Sequence, residues 1–116
     1  MTQTLVALDI ETTGLVSNND KIIEVGAVRF SGSEIKAEFE SLINPGIRIP
    51  PFITQLTGIT DAMVRGNKIP MVEEALDQLI NFVGDTPVIG HNVKFDLGFI
   101  RSRGALKQNP EIRLRN

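Results

Sequence analysis

The sequence has no cysteine, no tryptophan and no tyrosine, and its one histidine is His91. Without cysteine there is neither a disulfide framework nor a thiolate metal site, an absence that suits a cytoplasmic protein. No apolar run approaches the ~20 residues a membrane helix needs. The opening segment, Met1–Glu11, lacks the basic region of a signal peptide and leads straight into strand-like sequence. No membrane partner is therefore expected. The glycines spell neither G-x-G-x-x-G nor G-x-x-x-x-G-K-[ST], so no nucleotide-cofactor loop is indicated.

What is present describes one folded domain spanning residues 1–116. Apolar residues make up 41% and charged residues 22% of 116 positions, enough for a single core. The net charge is −2 but unevenly spread: residues 1–100 hold 7 Lys/Arg and 13 Asp/Glu, and residues 101–116 hold 5 Lys/Arg and 1 Glu. A basic tail can touch phosphates. A solvated helix end and tail is the plainer reading.

The hydrophobic pattern gives the order of elements. Leu5–Ile10, Ile22–Phe30 and Glu34–Ile43 read as three strands of an antiparallel meander, with a hairpin break at Ser31-Gly32-Ser33. Phe52–Leu56 forms a short helix closed by Gly58, and Thr60 caps another beginning at Asp61. Met71–Val83 carries apolar residues at i, i+3, i+4 and i+7 and ends at Gly84. Pro87–Gly90 is a brief fourth strand. Asn92 caps a second long helix, Lys94–Arg103, closed by Gly104. Glu111–Asn116 begins a fifth strand, with Ile112 and Leu114 on one face. The order βββ-α-β-α-(β) implies a mixed α/β sheet.

Asp9 and Glu11 stand two apart on the first strand and so share a face. They lie at its C-terminal end, where α/β sheets place their sites. Two neighbouring carboxylates raise each other's pKa unless a cation lies between them, and hard oxygen donors suit Mg²⁺ or Mn²⁺. A bare D-x-E is short and common, and two solvated acids at a strand end are its usual meaning. Glu24, inside an apolar strand, either orients such a site or faces solvent at an edge. Gly26 is expected to admit a neighbouring element closely.

The surrounding residues narrow this. Asp9-Ile10-Glu11-Thr12-Thr13-Gly14-Leu15 resembles the first motif of the DnaQ-like, or DEDDh, exonucleases. His91-Asn92-Val93-Lys94-Phe95-Asp96 resembles the second. Between them Ile22–Val28 and Leu56–Thr60 are similar to family segments in the same order. The resemblance implies a ribonuclease H-like sheet of order 3-2-1-4-5. It also implies 3′→5′ hydrolysis of DNA or RNA at a single-stranded or frayed end, and a place beside a polymerase or helicase in a longer protein. Two divalent ions ~3.5–4 Å apart would activate water and stabilise the leaving 3′-oxygen. By resemblance Asp9, Glu11 and Asp96 hold the metals. Thr12, Thr13 and Gly14 offer polar groups to the terminal nucleotide, Leu15 and Leu56 pack on its base, and Asn92 joins the substrate-binding set.

The family's third motif, a His followed five residues later by an Asp, has no counterpart in this sequence. His91 belongs to the second motif, where its ring is expected to fix the local turn, and no tyrosine can replace the missing base. A general base contributes ~10²–10⁴-fold in rate. The chain is therefore expected to be C-terminally truncated relative to the family and weakly active or inactive alone. With its fourth strand near an open edge and part of its sheet bare, it is expected to self-associate. A non-catalytic nucleic-acid-binding or assembly module is the alternative.

Overall fold

The computed structural model describes residues 2–113, the last of them by its backbone. The elements follow as β1 (Thr4–Thr12), β2 (Ile22–Ser31), β3 (Glu34–Leu42), α1 (Pro51–Thr57), α2 (Asp61–Val64), α3 (Val72–Val83), β4 (Val88–Gly90), α4 (Val93–Arg101) and β5 (Glu111–Arg113). The sheet order is β3-β2-β1-β4-β5. The first three strands pair antiparallel, and β4 and β5 add in parallel on the other side of β1. This is the mixed sheet expected from the pattern. Leu114, expected to share a face with Ile112, lies outside the described residues.

Local chemistry sets the helix ends. Pro51 opens α1, where its missing N–H costs nothing, and Gly58 closes it at φ 80°. The Thr60 hydroxyl accepts from Met63 N–H at 3.2 Å at the start of α2. In α3 the buried Ala75, Leu76, Leu79 and Val83 make one stripe, and in α4 Val93, Leu97 and Ile100 make another. Both stripes join Val6, Leu8, Ile10, Val25 and Ala27 of the sheet in the main core. Each fully buried Leu or Ile there contributes about 1.5–3 kcal/mol.

The meander is irregular where it matters. Glu11 pairs with Glu24 but Thr12 pairs with Ile22, so Ile23 is an extra residue on β2. The bulge interrupts the alternation of faces. Ile22 joins the main core, and Ile23 enters a second cluster with Ile49, Ile53, Ile59 and Val64. That cluster seats α1 and α2 beside the end of β1.

The other face of the sheet carries no helix among the described residues. Ala7, Val28, Phe30 and Ile89 floor a cavity there of about 850 Å³, with Asp9, Glu38, Glu40 and His91 around it.

β4 lies one strand in from the sheet edge, as expected, and pairs along its length with the three-residue β5. Three other expectations differ from the structure. Arg101 and Arg103 are not a solvated tail. Arg101 donates to Leu106 O, Asn109 O and Glu111 Oε1 at 3.1, 2.8 and 2.9 Å, and Arg103 is likewise engaged with backbone carbonyls. The close backbone approach is at Gly90, where a Cβ would lie 2.8 Å from Leu8 O. At Gly26 the nearest atom, Asp9 O, would be an ordinary 3.9 Å away. Asn92 occupies the N-cap of α4 but its side chain makes no capping bond.

Candidate active site

Three elements converge at the C-terminal end of β1. The strand runs past β4, which pairs with it only at Val6 and Ala7. Asp9 and Glu11 therefore project from a stretch bounded by β2 on one side and the first turn of α4 on the other. That turn carries Asp96, which is only 5% exposed.

The electrostatics couple these groups. Burial pushes the Asp96 carboxyl up to about 7; Asp9 and, more weakly, Glu11 add to this, and a hydrogen bond from the Ile10 backbone opposes it. Burial, then Asp9, also raises Glu11. Glu24 is raised by burial and then by Glu40, Glu11 and Asp9. Of the two readings offered for Glu24, it is the half-buried neighbour of the site, opposite Glu11. Among the described residues, no three His, Asp or Glu side chains are gathered into a ready metal cage.

Beside the carboxylates lies a cleft of about 400 Å³ that brings together Glu11, Thr12, Thr13, Gly14, Leu15 and Leu56. Leu15 and Leu56 stand 82% and 70% exposed at its mouth, with Phe52 exposed beside them. The two threonine hydroxyls hold the loop itself. Thr12 Oγ1 donates to Gly14 O at 2.6 Å, and Thr13 Oγ1 donates to Asp20 Oδ1 at 3.2 Å while accepting from Lys21 N–H at 2.9 Å. The backbone N–H groups of Gly14 and Leu15 have no partner among the described residues. Asp9 and Asn92 do not line this cleft; Asp9 faces the open side of the sheet.

The cleft includes two residues that sequence reasoning did not single out, Phe52 and Phe95. Phe52 sits one helical turn before Leu56, and Phe95 directly precedes Asp96. The signal for Phe95 was its place inside the second motif, and for Phe52 its place a turn before Leu56. His91 is exposed and makes no hydrogen bond among the described residues, so its ring does not fix the turn.

The exonuclease model RNase T matches residues 6–110. The chain belongs to the RNase T exonuclease family. Among its relatives, the PolC-type DNA polymerase III of Clostridium perfringens is 44% identical over 109 residues, covering 90% of this chain and 7% of that protein. The epsilon subunit of DNA polymerase III from Aquifex aeolicus is 40% identical over 114 residues, covering 94% of this chain and 55% of that one. The exonuclease domain described here thus spans a small part of the first and about half of the second.

Its fold matches exonuclease I. The metal-free complex of E. coli exonuclease I with single-stranded DNA superposes with a TM-score of 0.80 at 20% identity, over 97% of this chain and 28% of that one. Exonuclease I of Methylocaldum szegediense gives 0.77 at 18% identity, over 96% and 27%. At such identities the likeness is one of fold, and that fold is the ribonuclease H-like mixed sheet.

Proposed function

We propose that this RNase T-family domain is built to hydrolyse phosphodiester bonds at the 3′ end of single-stranded or frayed DNA or RNA. The observation that carries the proposal is the electrostatic coupling of Asp9, Glu11 and Asp96 near a cleft with an exposed apolar mouth. The carboxylates fit a divalent cation, Mg²⁺ or Mn²⁺. They are hard oxygen donors, and the raising of Glu11 and Asp96, by burial first and by Asp9 second, is what a cation would relieve. Two bound ions would supply an activated water and stabilise the departing 3′-oxygen.

The chain's own residues do the rest. Asp9, Glu11 and Asp96 hold the ions. The Gly14 and Leu15 N–H groups donate to the terminal nucleotide, while Leu15, Leu56 and Phe52 pack on its base. No residue of this sequence fills the role of general base, because His91 is the only histidine and tyrosine is absent. The 116-residue chain by itself is therefore assigned little or no activity. Its likeness to DNA polymerase III proteins supports a role beside a polymerase, and a helicase is the other partner that the family resemblance implies. The bare apolar face of the sheet supports a homodimer of the isolated chain.

A second reading, a non-catalytic nucleic-acid-binding or assembly module, is favoured by the same missing base. A 5′-labelled single-stranded oligonucleotide with Mn²⁺ tests both. The expected result is Mn²⁺-dependent binding with at most slow shortening from the 3′ end, both lost in Asp9→Ala. Rapid digestion would overturn the low activity, and shortening from the 5′ end would overturn the direction. Binding that ignores Mn²⁺ and survives Asp9→Ala would favour the module.

A further inference from the structure

Arg103 lies just beyond the end of α4, and its guanidinium joins two segments far apart in sequence. Nη1 donates to Phe99 O at 2.8 Å and to Ser17 O at 3.2 Å, and Nη2 donates to Asp20 O at 2.6 Å. Its carbon sits 5.5 Å from the centre of the Phe99 ring. Among the described residues it pairs with no carboxylate. The Asp20 carboxylate is used within the loop, where Oδ2 accepts from Val16 N–H at 2.9 Å and Oδ1 from the Thr13 hydroxyl at 3.2 Å. A half-buried cation whose donors go to neutral carbonyls on two separate segments acts through its planar fork, a geometry that lysine lacks.

The loop it grips runs from the end of β1 to the start of β2 and carries Gly14 and Leu15. Few apolar contacts fix it, since Leu15 and Val16 are 82% and 52% exposed. Its position therefore depends on polar anchors. Inside the loop, Asn19 N–H and Asp20 N–H both donate to Val16 O, at 3.0 and 2.7 Å. Gly14 is packed so closely against Asp20 that a Cβ would lie 2.5 Å from its carboxylate oxygen. Arg103 connects this unit to the helix whose first turn carries Asp96.

We propose that Arg103 is a positioning residue of the candidate site. It sets where the Gly14 and Leu15 N–H groups and the Leu15 side chain stand relative to Asp96, by tying the loop to α4. The proposal rests on the nucleic-acid reading above. It differs from a phosphate-binding role because both terminal guanidinium nitrogens are already engaged inside the protein.

The test uses the full chain, as wild type, Arg103→Gln and Arg103→Lys. Two readouts are followed: amide hydrogen exchange, and Mn²⁺-dependent binding of a 5′-fluorescein single-stranded deoxyoligonucleotide. In Arg103→Gln, exchange at Val16, Asn19 and Asp20 is expected to rise about tenfold or more while the β1–β2 ladder keeps its protection, and binding is expected to weaken about tenfold. Arg103→Lys keeps the charge but not the fork, so it is expected to restore neither readout fully. Unchanged exchange in the loop would overturn the clamp. A loosened loop with unchanged binding would overturn the positioning role while leaving the nucleic-acid reading intact. Full recovery of binding in Arg103→Lys would overturn it in favour of a charge effect. If wild type does not bind the oligonucleotide, the nucleic-acid reading fails and the positioning role with it, whatever the exchange shows. Should Arg103→Gln lose ladder protection as well, Arg103→Lys alone decides, with the same outcomes.

Discussion

Glu11 on β1 and Glu24 on β2 are direct cross-strand partners. Like charges so placed repel; burial and then Asp9 hold the Glu11 carboxyl above the usual range, and burial, then Glu40, Glu11 and Asp9, hold that of Glu24 there. A group whose folded pKa is raised binds its proton more tightly in the fold. The stability it contributes is present below the ordinary value of 4.5 and lost as pH rises through the raised one. Glu24→Gln is therefore expected to stabilise the metal-free domain at neutral pH by about 0.2–1 kcal/mol. Urea midpoints of the two proteins at neutral and acidic pH check this, because the difference should vanish in acid.

The same argument is stronger at Asp96, whose carboxyl is raised from 3.8 to about 7. Metal-free stability should fall as pH climbs through that window, since the folded state binds more protons than the unfolded one there. Asp96→Asn should flatten the slope and be the more stable protein at pH about 8. Added Mn²⁺ should oppose the loss in wild type and not in the variant, as thermal melts across pH would show.

Two glycines on the sheet should respond oppositely to one methyl group. Gly90→Ala drives a Cβ toward Leu8 O and is expected to cost about 1–3 kcal/mol. Gly26→Ala meets only ordinary contact and should be neutral or stabilising by up to about 1 kcal/mol. Chemical denaturation of both variants decides.

The bare face predicts association of the isolated chain. Light scattering over a concentration series should report species larger than the monomer. Val28→Lys, which puts a charge on the floor of the open cavity, should shift them back toward monomer. A wild type that stays monomeric at high concentration would exclude self-association through this face.

Much of this fold could be read from periodicity. Alternation placed Asp9 and Glu11 on one face of a strand, and 3.6-residue spacing found α3 and α4. The Thr60 cap followed from residue type alone. What escaped depended on contacts distant in sequence. The bulge at Ile23 escaped because Ile22 and Ile23 are both apolar, and a sequence does not show which residue is the extra one. Arg103 reads as a charged helix end until Ser17 and Asp20 are brought beside it. Phe52 and Phe95 look like core in any hydropathy pattern, and only the fold leaves them lining a cleft. At Asn92 the preferred residue type was right for the position, but preference does not oblige a side chain to make the capping bond.

The parallel pairing of β1 with β4 at only Val6 and Ala7 has a consequence for assembly. The β1–β2–β3 meander closes through short turns, whereas joining β4 and α4 to β1 closes a loop of most of the chain. Local pairings form early and distant ones late. Asp9 and Glu11 are thus expected to be fixed on the nascent sheet well before Asp96 docks beside them. The mutual repulsion of the three acids then falls on the last stage of folding, so divalent cations, which relieve it only once Asp96 is in place, should slow unfolding more than they speed folding.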